Sequence, residues 1–119
     1  MIRLIRCLRR RTDISPEQFR QFWNDPEYEE MIVQIVNATQ AVSHVRNLTL
    51  QIDVNKELME FHGTSEPYDG VVEIWWESAE ALLPVINTAS GAELQFRVNA
   101  FEDQFIDREA SQFFITEVQ

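Results

Sequence analysis

The chain has a single cysteine among 119 residues, Cys7, so no internal disulfide can form. It has no apolar run near the ~20 residues needed to span a bilayer. It has no phosphate loop, no GxGxxG fingerprint and no Ser-His-Asp motif, which removes the common nucleotide, flavin and triad chemistries. It has two histidines, His44 and His62, at a separation that matches no recognised metal-ligand spacing. Cations are scarce: ten Lys and Arg face twenty Asp and Glu, a net charge of −10. That balance argues against nucleic acid and anionic membrane as partners. The first residues, Met1-Ile2-Arg3-Leu4-Ile5-Arg6, alternate like a strand and lack the apolar core of a signal peptide, so a cytoplasmic protein is expected. No repeat, linker or low-complexity segment is visible, and one domain over 1–119 is expected.

What is present begins with Tyr68-Asp69-Gly70-Val71-Val72-Glu73-Ile74-Trp75-Trp76-Glu77-Ser78. Asp-Gly signals a turn, with Gly70 supplying a positive φ. The following β-branched and aromatic run reads as a central strand, nearly apolar on both faces. Glu73 is the exception and alternates onto the face of Val71 and Trp75.

The rest of the chain falls into order around this strand. Residues 2–10 read as a first strand, with Cys7 as a small buried hydrophobe in it. Ser15 caps a helix with Pro16 at its first position and Gln18 completing a capping box. Ile14 and Phe19 fill the staple positions. Asp25-Pro26 restarts the helix, so helix is expected over about 16–40 with a break near Asn24-Asp25. A second strand is expected from about Val42 to Asp53, then a loop over 54–67 with at most one helical turn at Lys56-Met59. Ser78 caps a helix with Leu82, Val85 and Ile86 inward and an interruption at Pro84. Ser90 and Glu93 box a further start, and Leu94, Val98, Phe101 and Phe105 line one face. Phe113–Val118 closes the chain as a fourth strand.

The order β-α-β-β-α-β is the split βαβ of a ferredoxin-like sandwich. Strands one and three are then central, and both helices cover one face. The other face carries Val71 and Trp75 and needs a second layer, which a homodimer packed sheet to sheet supplies.

Four segments resemble the EthD family of dimeric α+β barrels: Phe19-Arg20-Gln21-Phe22-Trp23, Tyr68 to Trp76, Glu102-Asp103-Gln104-Phe105-Ile106-Asp107, and Thr116-Glu117. The resemblance implies a protein that accompanies oxidative degradation of organic compounds such as fuel ethers, or tailors polyketides. It implies binding or transformation of a small hydrophobic organic molecule, by cofactor-independent acid/base or oxygenase chemistry if the protein is an enzyme. A non-catalytic carrier or assembly partner is the alternative. Glu27 stands where the family commonly carries a histidine, either as a carboxylate substitute or as the mark of a lost site. Some dimeric α+β barrels bind haem through a helix histidine, but neither expected helical region has one, so no cofactor is expected.

The candidate catalytic residues are Glu73, His44 and Tyr28. On a central strand Glu73 faces either a cavity, as an acid/base, or Arg6 on the first strand, as an ion pair. The histidines titrate near neutral pH. Trp75, Trp23, Tyr68, Arg6 and Glu27 are the candidate ligand-binding residues, the aromatic ones suiting a flat apolar ligand. Arg3, Arg6, Arg9, Arg10 and Arg11 crowd the first eleven positions. They either offset the acidic remainder and protect a strand end, or build an anion site at the end of that strand.

Overall fold

The structure is a computed structural model that describes every residue except the side chains of residues 84–86. The order is β1 (Ile2–Leu8), α1 (Pro16–Trp23), α2 (Pro26–Ala38), β2 (Ser43–Leu48), α3 (Asp53–His62), β3 (Gly70–Trp76), α4 (Ala79–Ile86), α5 (Ala89–Glu102) and β4 (Gln112–Glu117). The four strands form one antiparallel sheet in the order β2-β3-β1-β4, with β1 and β3 central, as the ferredoxin-like reading requires.

Local chemistry sets the element ends. The Ser15 hydroxyl accepts from the Gln18 amide at 3.1 Å while the Gln18 side chain accepts from the Ser15 amide at 2.8 Å. Asp25 caps α2 through the Glu27 amide at 2.9 Å, and Pro26 opens the helix where a missing N–H costs nothing. Thr88 caps α5 through the Gly91 amide at 3.0 Å, two residues before the Ser90 start expected from sequence. The expectations placed on Pro84, Val85 and Ile86 lie outside the described residues.

Two segments differ from the sequence reading. β2 ends at Leu48, although Thr49 still donates to the Asp69 carbonyl at 3.0 Å. Beyond it, Asp53–His62 is a full helix rather than a loop, closed by Gly63 at φ 65° in the left-handed region. No residue of α3 is buried, and Val54, Leu58 and Phe61 along it are exposed.

The core lies between the sheet and α1, α2 and α5. Leu8, Val72, Ile74 and Trp76 meet Phe19, Trp23, Tyr28, Ile32, Val98 and Phe105 there. Ring contacts knit the core: Phe19 stacks on Trp23 within α1 at 5.6 Å, Phe22 of α1 on Phe105 just beyond α5 at 5.1 Å, and Tyr28 of α2 on Phe101 of α5 at 5.3 Å. Each such pair adds about 0.5–1.5 kcal/mol beyond area burial. The Trp76 indole N–H donates to the Thr39 carbonyl at 3.1 Å, so the buried ring leaves no donor stranded.

Gly70 is required for a reason other than turn geometry. Its φ is not in the left-handed region; a Cβ there would lie 2.6 Å from two carbons of the Trp23 ring.

Candidate functional site

Register divides the sheet's side chains between two faces. Ile5 lies opposite Glu73, Arg3 opposite Trp75 and Cys7 opposite Val71. These six point away from the helices, together with Val45 of β2 and Phe114 of β4. Glu73 is the one carboxylate among the strand residues of this open face. Its Oε1 accepts from Arg3 at 3.2 Å and its Oε2 from the Asn47 amide at 3.3 Å. The pairing with Arg6 expected from sequence does not occur, because Arg6 lies opposite Val72 on the helix side. The Arg3 guanidinium also covers the Trp75 ring at 4.3 Å. Cys7 is half-buried here rather than a core residue, and burial followed by the charge of Glu73 pushes its thiol pKa up.

A second charged group lies on the helix side. Arg6 donates to both carboxylate oxygens of Glu102 at 2.8 Å, and the Tyr28 hydroxyl donates to Oε2 at 2.7 Å. Glu102 and Tyr28 have no exposed surface. The outer side of Arg6 is covered by the Phe113 ring at 4.4 Å, and Arg108 stands 3.9 Å from Glu102. Burial works against the Arg6 cation, but the charge of Glu102 and the Tyr28 hydroxyl outweigh it and hold the pKa above its ordinary value. Arg46 flanks the group, lying over the Trp23 and Tyr28 rings at 4.8 and 5.2 Å and donating to the Trp23 carbonyl.

Burial, then the neighbouring Glu102 charge, raises the Tyr28 pKa far above the ordinary tyrosine value. The folded chain therefore keeps this proton through a pH range where the unfolded chain releases it. A group whose pKa is raised on folding contributes full stability below its unfolded pKa and loses it as pH rises. Stability should fall above about pH 10 by up to about 1.4 kcal/mol per pH unit from this group alone. Denaturant midpoints measured across that range check it. Tyr28→Phe should flatten the decline, and an unchanged slope in that variant would remove Tyr28 as the cause.

At the end of the sheet, where β1 leaves and β3 begins, there is a cavity of about 490 Å³. Its lining includes Arg9 and Arg10 after β1, Leu50 and Ile52 before α3, Met59 on α3 and Pro67 before β3. It is not visible in the sequence, where the segment that forms its α3 wall has the pattern of a loop. Arg10 is committed: its amide donates to Asp69 at 2.8 Å, its Nε lies 3.5 Å from the same carboxylate, and its Nη1 donates to the Ile14 carbonyl at 2.7 Å.

The EthD domain model matches residues 11–109. The chain belongs to the EthD family. An EthD family protein from Bacillus halodurans superposes with a TM-score of 0.60 at 14% identity, covering 100% of this chain and 99% of that one. A dimeric protein of unknown function and ferredoxin-like fold from Bacteroides fragilis gives 0.63 at 8% identity, over 98% and 95%. SnoaB, a cofactor-independent oxygenase from Streptomyces nogalater, gives 0.59 at 8% identity, over 99% and 92%. At these identities the likeness is one of fold. No curated protein matches the chain.

Within this EthD chain the residues picked out from sequence do not converge. Glu73 and Trp75 share the open face; Tyr28 and Arg6 lie behind the sheet with Glu102. Trp23 is enclosed in the core rather than walling a pocket. His44 is half-exposed on edge strand β2, opposite Ile74 and so on the helix side; its side chain makes no hydrogen bond or ion pair among the described residues. Glu27 is exposed beside a shallow groove between α2 and α5. Tyr68 lies under the Arg9 guanidinium at 4.4 Å. His62, expected in a loop, ends helix α3 with its ring edge-on to Phe61 at 5.0 Å. Among the described residues no group of three or more His, Cys, Asp and Glu could hold a metal ion. Among the described residues no helix is long and apolar enough to cross a membrane. Sequence reasoning overlooked Glu102, although its spacing from Val98, Phe101 and Phe105 marks it as inward-facing.

Proposed function

We propose that this EthD protein is a cytoplasmic homodimer, one domain per chain, that binds or transforms a small hydrophobic organic molecule in an oxidative catabolic or tailoring pathway. The observation that carries the binding role is the cavity at the sheet end, whose volume falls in the range of small-molecule sites. The dimer is supported by the open face, where Ile5, Val45, Val71, Trp75 and Phe114 lie around one ion pair on a sheet with no layer of its own over it. A dimeric neighbour of the same fold adds support. The chemistry is cofactor-independent, as in the SnoaB oxygenase of like fold. The net charge of −10 sets it apart from nucleic-acid and membrane-surface binders.

Two modes of action remain within this reading. In the catalytic one, Glu73 is the acid/base; the specific support is that it is the lone carboxylate of the face the second copy covers, while His44 and Tyr28, on the helix side of the sheet, stand apart from it. In the carrier one, Glu73 is a strap between strands; the support is that both its oxygens already have partners, Arg3 and Asn47. Glu73→Gln keeps the shape and removes the charge. Loss of turnover on a panel of phenolic and polyketide-like substrates selects catalysis, and ligand binding without turnover in the parent selects the carrier.

The dimer has its own test. Light scattering should give twice the 14.0 kDa chain mass. Trp75→Asp, which places a charge in the contact, should shift it to the single-chain mass with secondary structure retained. A parent protein that runs as a monomer at micromolar concentration overturns the sheet-to-sheet reading.

A further inference from the structure

The five arginines of the first eleven residues differ in what they meet. Arg3 pairs with Glu73, Arg6 with Glu102, Arg10 with Asp69 and Arg11 with Asp13. Arg9 alone has no carboxylate within 4.0 Å among the described residues, in a chain with twice as many acids as bases. Its Nη1 reaches only two carbonyls, of Glu66 and Pro67, at 3.5 and 3.4 Å, the long end of hydrogen bonding. Its guanidinium carbon stands 4.4 Å from the Tyr68 ring centroid, a contact that positions it and leaves most of its five donors free.

This cation lines the cavity. Leu50, Ile52, Met59 and Pro67 give the same cavity an apolar wall, and Lys56, exposed and without a carboxylate partner among the described residues, lies at its edge. Asp53 and Glu66 are the other lining carboxylates; both are exposed, where solvent and salt screen them. A fixed guanidinium beside an apolar wall is matched by a ligand with a flat apolar body and one planar anionic group, since a carboxylate accepts two parallel N–H bonds from the fork.

We infer that the cavity takes a small aromatic or polycyclic acid, its ring system against Leu50, Ile52 and Met59 and its carboxylate on Arg9. This rests on the reading above that the cavity is the binding site, and it names the ligand class that reading leaves open. It also places the ligand at the level of Asp69, four residues along the chain from Glu73 and roughly 13 Å away along an extended strand, out of reach of that carboxylate, so it favours the carrier mode over the catalytic one.

The experiment is calorimetric titration of the full chain with naphthoate and, separately, its neutral methyl ester. Three variants accompany the parent: Arg9→Met, Arg9→Lys and Met59→Trp, the last filling the cavity. Naphthoate should bind at least about tenfold more tightly than the ester. Arg9→Met should erase that preference by weakening naphthoate alone, Arg9→Lys should restore part of it, and Met59→Trp should abolish binding of both. If acid and ester bind alike, or Arg9→Met leaves the preference intact, while Met59→Trp still abolishes binding, the ligand class is wrong and the cavity stands as the site. If neither probe binds, or Met59→Trp leaves both unaffected, the cavity itself is lost as the site and the inference falls with it. Each variant's unfolding midpoint is measured beside the titration, so a misfolded variant is recognised and replaced by Ile52→Trp or Arg9→Gln.

Discussion

Glu102→Gln should cost this protein about 3–5 kcal/mol of stability. The change is almost isosteric, so the cost comes from charge. Arg6 is 6% exposed and Tyr28 not at all, and neither can turn to water when the carboxylate goes. The neutral amide offers Arg6 a single weak acceptor and presents an NH₂ group toward one of its two donors. A domain of this kind holds only about 5–15 kcal/mol in total, so the variant should unfold well below the parent in urea and in heat. The paired replacement Arg6→Met with Glu102→Leu tests the cause. It removes both charges and fills similar volume, and it should recover much of the loss, most fully when Tyr28→Phe also removes the orphaned hydroxyl. A Glu102→Gln protein within about 1 kcal/mol of the parent would mean that water or Arg108 reaches the group and that the burial argument is wrong.

This cluster also shows where a sequence stops being readable. The strands, their order and the caps at Ser15 and Asp25 follow from alternation and from side chains acting within a few residues, and those signals are local. Partner choice is not. Whether Glu73 meets Arg3 or Arg6 depends on the parity of the β1–β3 register, and Ile5 opposite Glu73 puts only odd-numbered β1 residues on its face. A slip by one residue would have exchanged the two ion pairs. Glu102 was hidden differently: an acid at a helix end reads as solvated, and only its place between Phe101 and Phe105 on the inner stripe marks it as buried. Helix α3 was missed because its N-cap, Ile52, makes no side-chain hydrogen bond and its stripe of Val54, Leu58 and Phe61 points outward. The cavity followed it out of view, since α3 supplies part of the wall.

Gly70→Ala should be the second most damaging change, at about 2–3 kcal/mol for a single methyl group, the upper part of the range for overpacking. The atoms it meets are Cη2 and Cζ3 of Trp23, both 2.6 Å from the new Cβ, with Cε3 at 3.3 Å. Those atoms belong to a rigid ring that cannot fold aside. The ring is stacked on Phe19 at 5.6 Å, set edge-on to Tyr28 at 6.0 Å and covered by Arg46 at 4.8 Å. β3 cannot retreat either, because it is hydrogen-bonded to β1 on one side and β2 on the other. The strain must spread into the aromatic cluster and the adjoining Tyr28–Glu102 bond. Trp23→Phe shortens the ring and opens the contact. It should be costly alone, yet combined with Gly70→Ala the total should fall below the sum of the two by about 1 kcal/mol or more. Strict additivity in that cycle would show that Gly70 is needed for its backbone and not for the indole it faces.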